Sequence, residues 1–114
     1  PVEHCIESTH GWQLVDALEE IRTARDLPAY RKETFASVEL ARDLARANEE
    51  DPLERIELIG LCTDICVVSN ALTLKGFMPE VPLSVDARCC AGVTPEAHEA
   101  ALRTMESCQV RIDR

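Results

Sequence analysis

The stretch RIELIGLCTDICVVSNALTLKG, residues 55–76, decides how the rest of the chain is read. Arg55 to Leu61 is rich in branched apolar side chains, as a strand buried in a parallel sheet should be. Ile65 to Lys75 then runs as a mostly apolar helix, with Thr63 or Asp64 available as N-cap and Gly76 as the residue that closes it. A strand, a tight turn and a helix follow one another, and open α/β sheets bind their ligands at the carboxyl ends of such strands.

Upstream, Asp51-Pro52 ends a helix that Ser37 caps and whose apolar stripe is Val38, Leu40, Ala41, Leu44 and Ala45. Leu27 to Arg31 is expected as a short strand. Before it, Trp12, Val15, Leu18 and Ile21 recur every third residue and predict a short helix that ends ahead of Pro28. Pro1 to Gly11 shows no period. Downstream, Glu80 to Val85 reads as a strand in which Pro82 lacks one ladder donor. Thr94-Pro95 starts a last helix with Ala97, Ala101, Leu102 and Met105 facing inward, and Cys108 to Ile112 is the closing strand. Helices alternating with strands predict a three-layer α/β/α, Rossmann-like domain around a parallel sheet.

A length of 114 residues allows one domain with one modest core. The formal charge of −9 repels phosphate backbones and anionic membranes, so neither nucleic acid nor membrane is an expected partner. No apolar run approaches the roughly 20 residues that cross a bilayer. No secretion signal opens the chain, and a start at Pro1 leads us to expect residues before it. Six cysteines (Cys5, Cys62, Cys66, Cys89, Cys90 and Cys108) with only four glycines do not suit a disulfide-stapled scaffold. They are expected as reduced thiols of a cytoplasmic protein.

Cys66 falls in the first turn of the helix after the best strand. Backbone N–H groups there lack helical acceptors and, with the helix dipole, favour a thiolate and can hold an oxyanion. The ordinary reading of a cysteine on an apolar helix is a small buried hydrophobe, and position alone does not overturn it.

GLCTDICVVSNAL, residues 60–72, resembles the cysteine-bearing turn of the isochorismatase-like cysteine hydrolases, the superfamily that includes the nicotinamidases. The resemblance places the nucleophile at Cys66 and not at Cys62. It implies a cis Leu61–Cys62 peptide and an oxyanion hole built from the backbone N–H groups of Cys62 and Cys66. Val85-Asp86-Ala87, then Gly92-Val93-Thr94 and His98, are similar to the family's last strand-to-helix passage. Arg31-Lys32-Glu33-Thr34-Phe35 is similar to its lysine motif and assigns Lys32 a catalytic part; without the resemblance Lys32 would be a solvated charge. Pro1-Val2-Glu3-His4-Cys5 with Thr9-His10-Gly11 resembles the stretch whose histidine binds a divalent metal, zinc or similar, so His4 inherits that role.

The family's general-base aspartate, at the end of its first strand, has no counterpart here, nor have the other metal ligands. Asp64 is explained as a helix cap and Asp86 as a loop residue near the site. The family sheet has six parallel strands, and its first two would lie between the strand before Lys32 and the strand before Cys66. Residues 1–114 are therefore expected to be the C-terminal portion of one cysteine hydrolase domain, with open strand edges. The implied reaction is cleavage of a small, nicotinamide-like amide to acid and ammonia through a Cys66 thioester, in a homo-oligomer. The alternative is a catalytically inactive interaction module of the same fold. An enol-ether hydrolase of isochorismatase type generally has another residue at the nucleophile's place, so Cys66 speaks against it. A zinc site from Cys62, Cys66, Cys89 and Cys90 lacks the two-residue knuckle spacing, and His98 is expected exposed on a polar helix face.

Overall fold

A computed structural model describes residues 2–114; Pro1, which opens the His4 motif, lies outside the described residues. The strands are β1 (Ile56–Leu61), β2 (Leu83–Ala91) and β3 (Arg111–Asp113), in the order β1-β2-β3 and parallel throughout. The helices are α1 (Asp16–Ala24), α2 (Val38–Glu50), α3 (Val68–Phe77) and α4 (Pro95–Ser107). The α/β class and the parallel sheet are those expected.

Helix boundaries follow their caps. The Ser37 hydroxyl accepts the Leu40 N–H at 3.2 Å, and the Thr94 hydroxyl accepts the Ala97 N–H at 3.1 Å, with Pro95 in the first turn. Both were legible as caps. Trp12, by contrast, ends a single 3-10 turn, and α1 begins only at Asp16 and buries none of its residues.

Each crossover, β1–α3–β2 and β2–α4–β3, advances one place in the same direction, so right-handed connections bring α3 and α4 to one face, where they touch. Ile56 pairs with Leu83 and Leu58 with Val85, so these side chains share that face. Ala71 and Leu74 of α3 and Leu102 and Met105 of α4 close the core over them, and Ala41 of α2 joins it from outside. On the opposite face Ile59 and Leu61 are 56% and 69% exposed.

Four expectations are corrected. Leu27 to Arg31 forms no strand, because no ladder partner stands beside it; side chains tether the segment instead. Gly76 lies inside α3, which continues to Phe77. β2 begins after Pro82 and runs on to Ala91; Pro82 contributes its carbonyl, which accepts the Ile56 N–H at 2.8 Å, so its missing donor costs nothing. The last strand is shorter and later than Cys108 to Ile112, because Cys108 and Gln109 bond back to the end of α4.

Candidate active site

β1 delivers the chain to the site through Gly60, whose φ of +124° suits only a residue without a side chain. The register with β2 shifts there, from Leu58 opposite Val85 to Gly60 opposite Cys90. The Leu61–Cys62 peptide that follows is cis, as the resemblance implied. Next comes one wide turn, Thr63–Val67, of the i→i+5 type. The Cys62 carbonyl closes it, accepting the Ile65 N–H at 3.1 Å and the Val67 N–H at 3.0 Å. No side chain caps this turn, so neither Thr63 nor Asp64 is the N-cap expected from the sequence. Asp64 uses Oδ1 to accept the Val93 N–H at 3.0 Å, tying the turn to the β2–α4 connection.

Cys66 sits half-buried in the turn, and its Sγ lies 3.6 Å from Lys32 Nζ, which also donates to the Thr34 carbonyl at 3.1 Å. Lys32 comes from the irregular segment between α1 and α2. Tyr30 anchors that segment by donating to Asp43 Oδ2 at 3.0 Å, and Arg31 by an ion pair with Glu7 at 2.7 Å and a guanidinium 5.0 Å above the Trp12 ring.

Asn70 joins the two halves. Its Nδ2 donates to the Cys66 carbonyl at 2.8 Å and to the Phe35 carbonyl at 3.1 Å, while its Oδ1 accepts the Ser37 N–H at 2.9 Å. Sequence reasoning missed this residue, although it stands four places after Cys66, on the same helix face.

Cys62 is a poor nucleophile here: burial first, and the nearby Asp64 carboxylate next, push its thiol above the ordinary value. Burial does the same to Cys90. Among the described residues no carboxylate is bonded to Cys66 Sγ; its polar partner is the Lys32 ammonium.

Two further placements differ from expectation. His98 is not exposed: it is half-buried, and its Nδ1 lies 2.8 Å from the hydroxyl of fully buried Thr63. Asp86 is not a loop residue but lies buried on β2, held by Arg88 through Nε at 2.9 Å and Nη2 at 2.7 Å. His4 is exposed, and no three His, Cys, Asp or Glu side chains come together among the described residues to hold a metal ion. A single imidazole does not make a metal site. The six cysteines are all unpaired. A shallow depression lined by Glu39, Arg42, Asp43, Arg46, Glu49 and Phe77 shares no residue with the Cys66 turn and carries no nucleophile.

The family model of the isochorismatase domain matches residues 1–113. The chain belongs to the isochorismatase family. Among solved structures, the isochorismatase-family fold of this chain is similar to the nicotinamidase/pyrazinamidase of Bacillus subtilis, with 24% identity and a TM-score of 0.79 over 99% of this chain and 63% of that one. It is similar to the nicotinamidase of Staphylococcus aureus, with 24% identity and a TM-score of 0.75 over 96% and 69% of the two chains. It is also similar to the pyrazinamidase of Pyrococcus horikoshii, solved in complex with zinc, with 25% identity and a TM-score of 0.69 over 96% and 60%. The chain thus spans about 63% of the length of the Bacillus subtilis enzyme. Comparison with curated proteins found no match.

Proposed function

We propose that Cys66 is the nucleophile of a hydrolase that opens a small, nicotinamide-like amide to the acid and ammonia, residues 1–114 being the C-terminal portion of its domain. The observation that carries this reading is the Lys32 ammonium 3.6 Å from Cys66 Sγ, at the carboxyl end of β1. A cation there stabilises both a thiolate and the negative charge that grows on the amide oxygen. The Cys66 thiolate attacks the carbonyl carbon, and the backbone N–H groups of Cys62 and Cys66 hold the resulting oxyanion. Collapse of the tetrahedral intermediate expels ammonia, and water then releases the acid from the thioester. A carboxylate supplied by another part of the domain takes the thiol proton and gives it to the departing nitrogen, which leaves as ammonia. The names of the structural neighbours support an aromatic amide as substrate. A cytoplasmic homo-oligomer belongs to the same reading; the unpaired thiols support the compartment, and exposed Ile59 and Leu61 support a covering protein surface.

One observation favours a second reading, an inactive module of the same fold: no carboxylate among the described residues bonds to Sγ. Ammonia release by the protein expressed from its complete reading frame separates the two. On the first reading Cys66→Ser lowers kcat by roughly 10³-fold or more, and Lys32→Met by about 10²-fold. Undiminished turnover in Cys66→Ser removes the thiol from the mechanism, and absence of turnover across a panel of aromatic amides leaves the inactive module.

A further inference from the structure

A second tether, independent of Lys32, grips the cysteine turn. Thr63 has 0% exposure, and its hydroxyl meets His98 Nδ1 at 2.8 Å. The neighbouring Asp64 accepts the Val93 N–H at 3.0 Å. Both contacts come from the passage that runs from Gly92, just after β2, into the first turn of α4, which bears His98. Close approach is possible because residue 92 has no side chain: a Cβ there would stand 2.9 Å from both Asp64 Oδ1 and the His98 nitrogen. Turns of the i→i+5 type are rare, and no side chain caps this one, so the bonds at Thr63 and Asp64 support its shape from outside. Thr63 is the first residue of this turn, and a rotation of the backbone there carries Cys66 with it.

We propose that His98 is a positioning residue. Through the Thr63 hydroxyl it fixes the turn so that Cys66 Sγ stays against Lys32 and the N–H groups of Cys62 and Cys66 converge on one oxygen. The inference rests on Cys66 being the nucleophile. It gives His98 a part that neither its polar helix face nor its distance in sequence from Cys66 discloses. Among the described residues the hydroxyl of Thr63 has no other partner in its buried position, which makes the pair act as a unit.

The test is a double-mutant cycle in the protein expressed from its complete reading frame, with Thr63→Val, His98→Leu and the double variant. Three quantities are read: kcat and KM for an aromatic amide, melting temperature, and the rate at which iodoacetamide labels Cys66 relative to exposed Cys108, resolved by peptide mass spectrometry. Each single variant is expected to lower kcat about ten- to a hundredfold with KM within about twofold, and the double variant to be no worse than either. The Cys66:Cys108 labelling ratio shifts severalfold in parallel, and His98→Asn, which keeps a polar atom at the δ position, restores most of both. A fall in melting temperature with unchanged kcat and unchanged labelling overturns the proposal, as do single effects that simply multiply in the double variant. If the parent shows no turnover, the hydrolase reading fails separately, and the labelling ratio alone decides the tether. Should the apolar variants not fold, His98→Gln replaces them, and a folded His98→Gln with parental kcat and labelling overturns it as well.

Discussion

Lys32 reaches Cys66 only because Tyr30, Arg31 and Asn70 hold the segment that bears it, and of these the sequence advertises none. The pairing of Cys66 with Lys32, which the proposed mechanism uses, was legible through a motif, since the family spacing singles out both residues. Asn70 was not, because its three bonds go to backbone groups of Phe35, Ser37 and Cys66, which carry no side-chain signature. His98 was misread for a related reason: a histidine with Glu96 and Glu99 near it on the helix looks solvated until its buried partner, Thr63, is placed in space. Asp86 offers a residue-level test in pH. The Arg88 side chain, chiefly, holds its carboxyl below the ordinary carboxylate range; burial acts in the opposite direction, and the Arg88 backbone N–H adds to the lowering. A depressed folded-state value means the unfolded chain takes up this proton first, so the contribution is present above the ordinary aspartate value of about 3.9 and is lost as pH falls through the folded one. Urea unfolding followed from neutral pH downward is expected to show a shallower acid loss in Asp86→Asn than in the parent. Because the Arg88 side chain is 70% exposed, solvent screening keeps the difference modest.

Where local chemistry alone shapes an element, sequence and structure agree: the caps Ser37 and Thr94 set the starts of α2 and α4, and the branched run sets β1. Where an element needs a partner, they part. Leu27 to Arg31 has the composition of a strand and finds nothing to pair with. β2 outruns its apolar part because β1 and β3 accept polar Asp86 and Cys90 into their ladders. Two glycines, Gly60 within β1 and Gly92 just after β2, give a paired expectation. Gly60→Ala puts a side chain on a φ of +124° with open space around it, so its cost is backbone strain, about 1–3 kcal/mol. Gly92→Ala drives a methyl group into the Asp64 carboxylate and the His98 backbone, and overpacking of that kind also costs about 1–3 kcal/mol. Urea denaturation is expected to show both losses. Only Gly92→Ala is also expected to lower turnover in proportion beyond its effect on stability, since only it pushes against the cysteine turn.

At the scale of the molecule, the strands and helices of the described residues form the α/β arrangement that alternating periods predict, with the core gathered on the face that α3 and α4 cover. The other face and the free side of β1 were legible only through the family sheet, because no feature of residues 55–61 says which neighbours are present. Parallel strands in which one edge stands open leave backbone groups aimed outward, and Ile59 and Leu61 beside them remain in water. The bond from the Ile56 N–H to Pro82 shows which way each amide of β1 faces: those of Ile56 and Leu58 turn toward β2, and those of Glu57 and Ile59 turn away. In the 114-residue chain, deuterium should therefore enter β1 at every second position, quickly at Glu57 and Ile59 and slowly at Ile56 and Leu58. In the protein made from its complete reading frame, slow uptake at all four would register a further strand hydrogen-bonded along that side, and the alternation would vanish from the exchange profile.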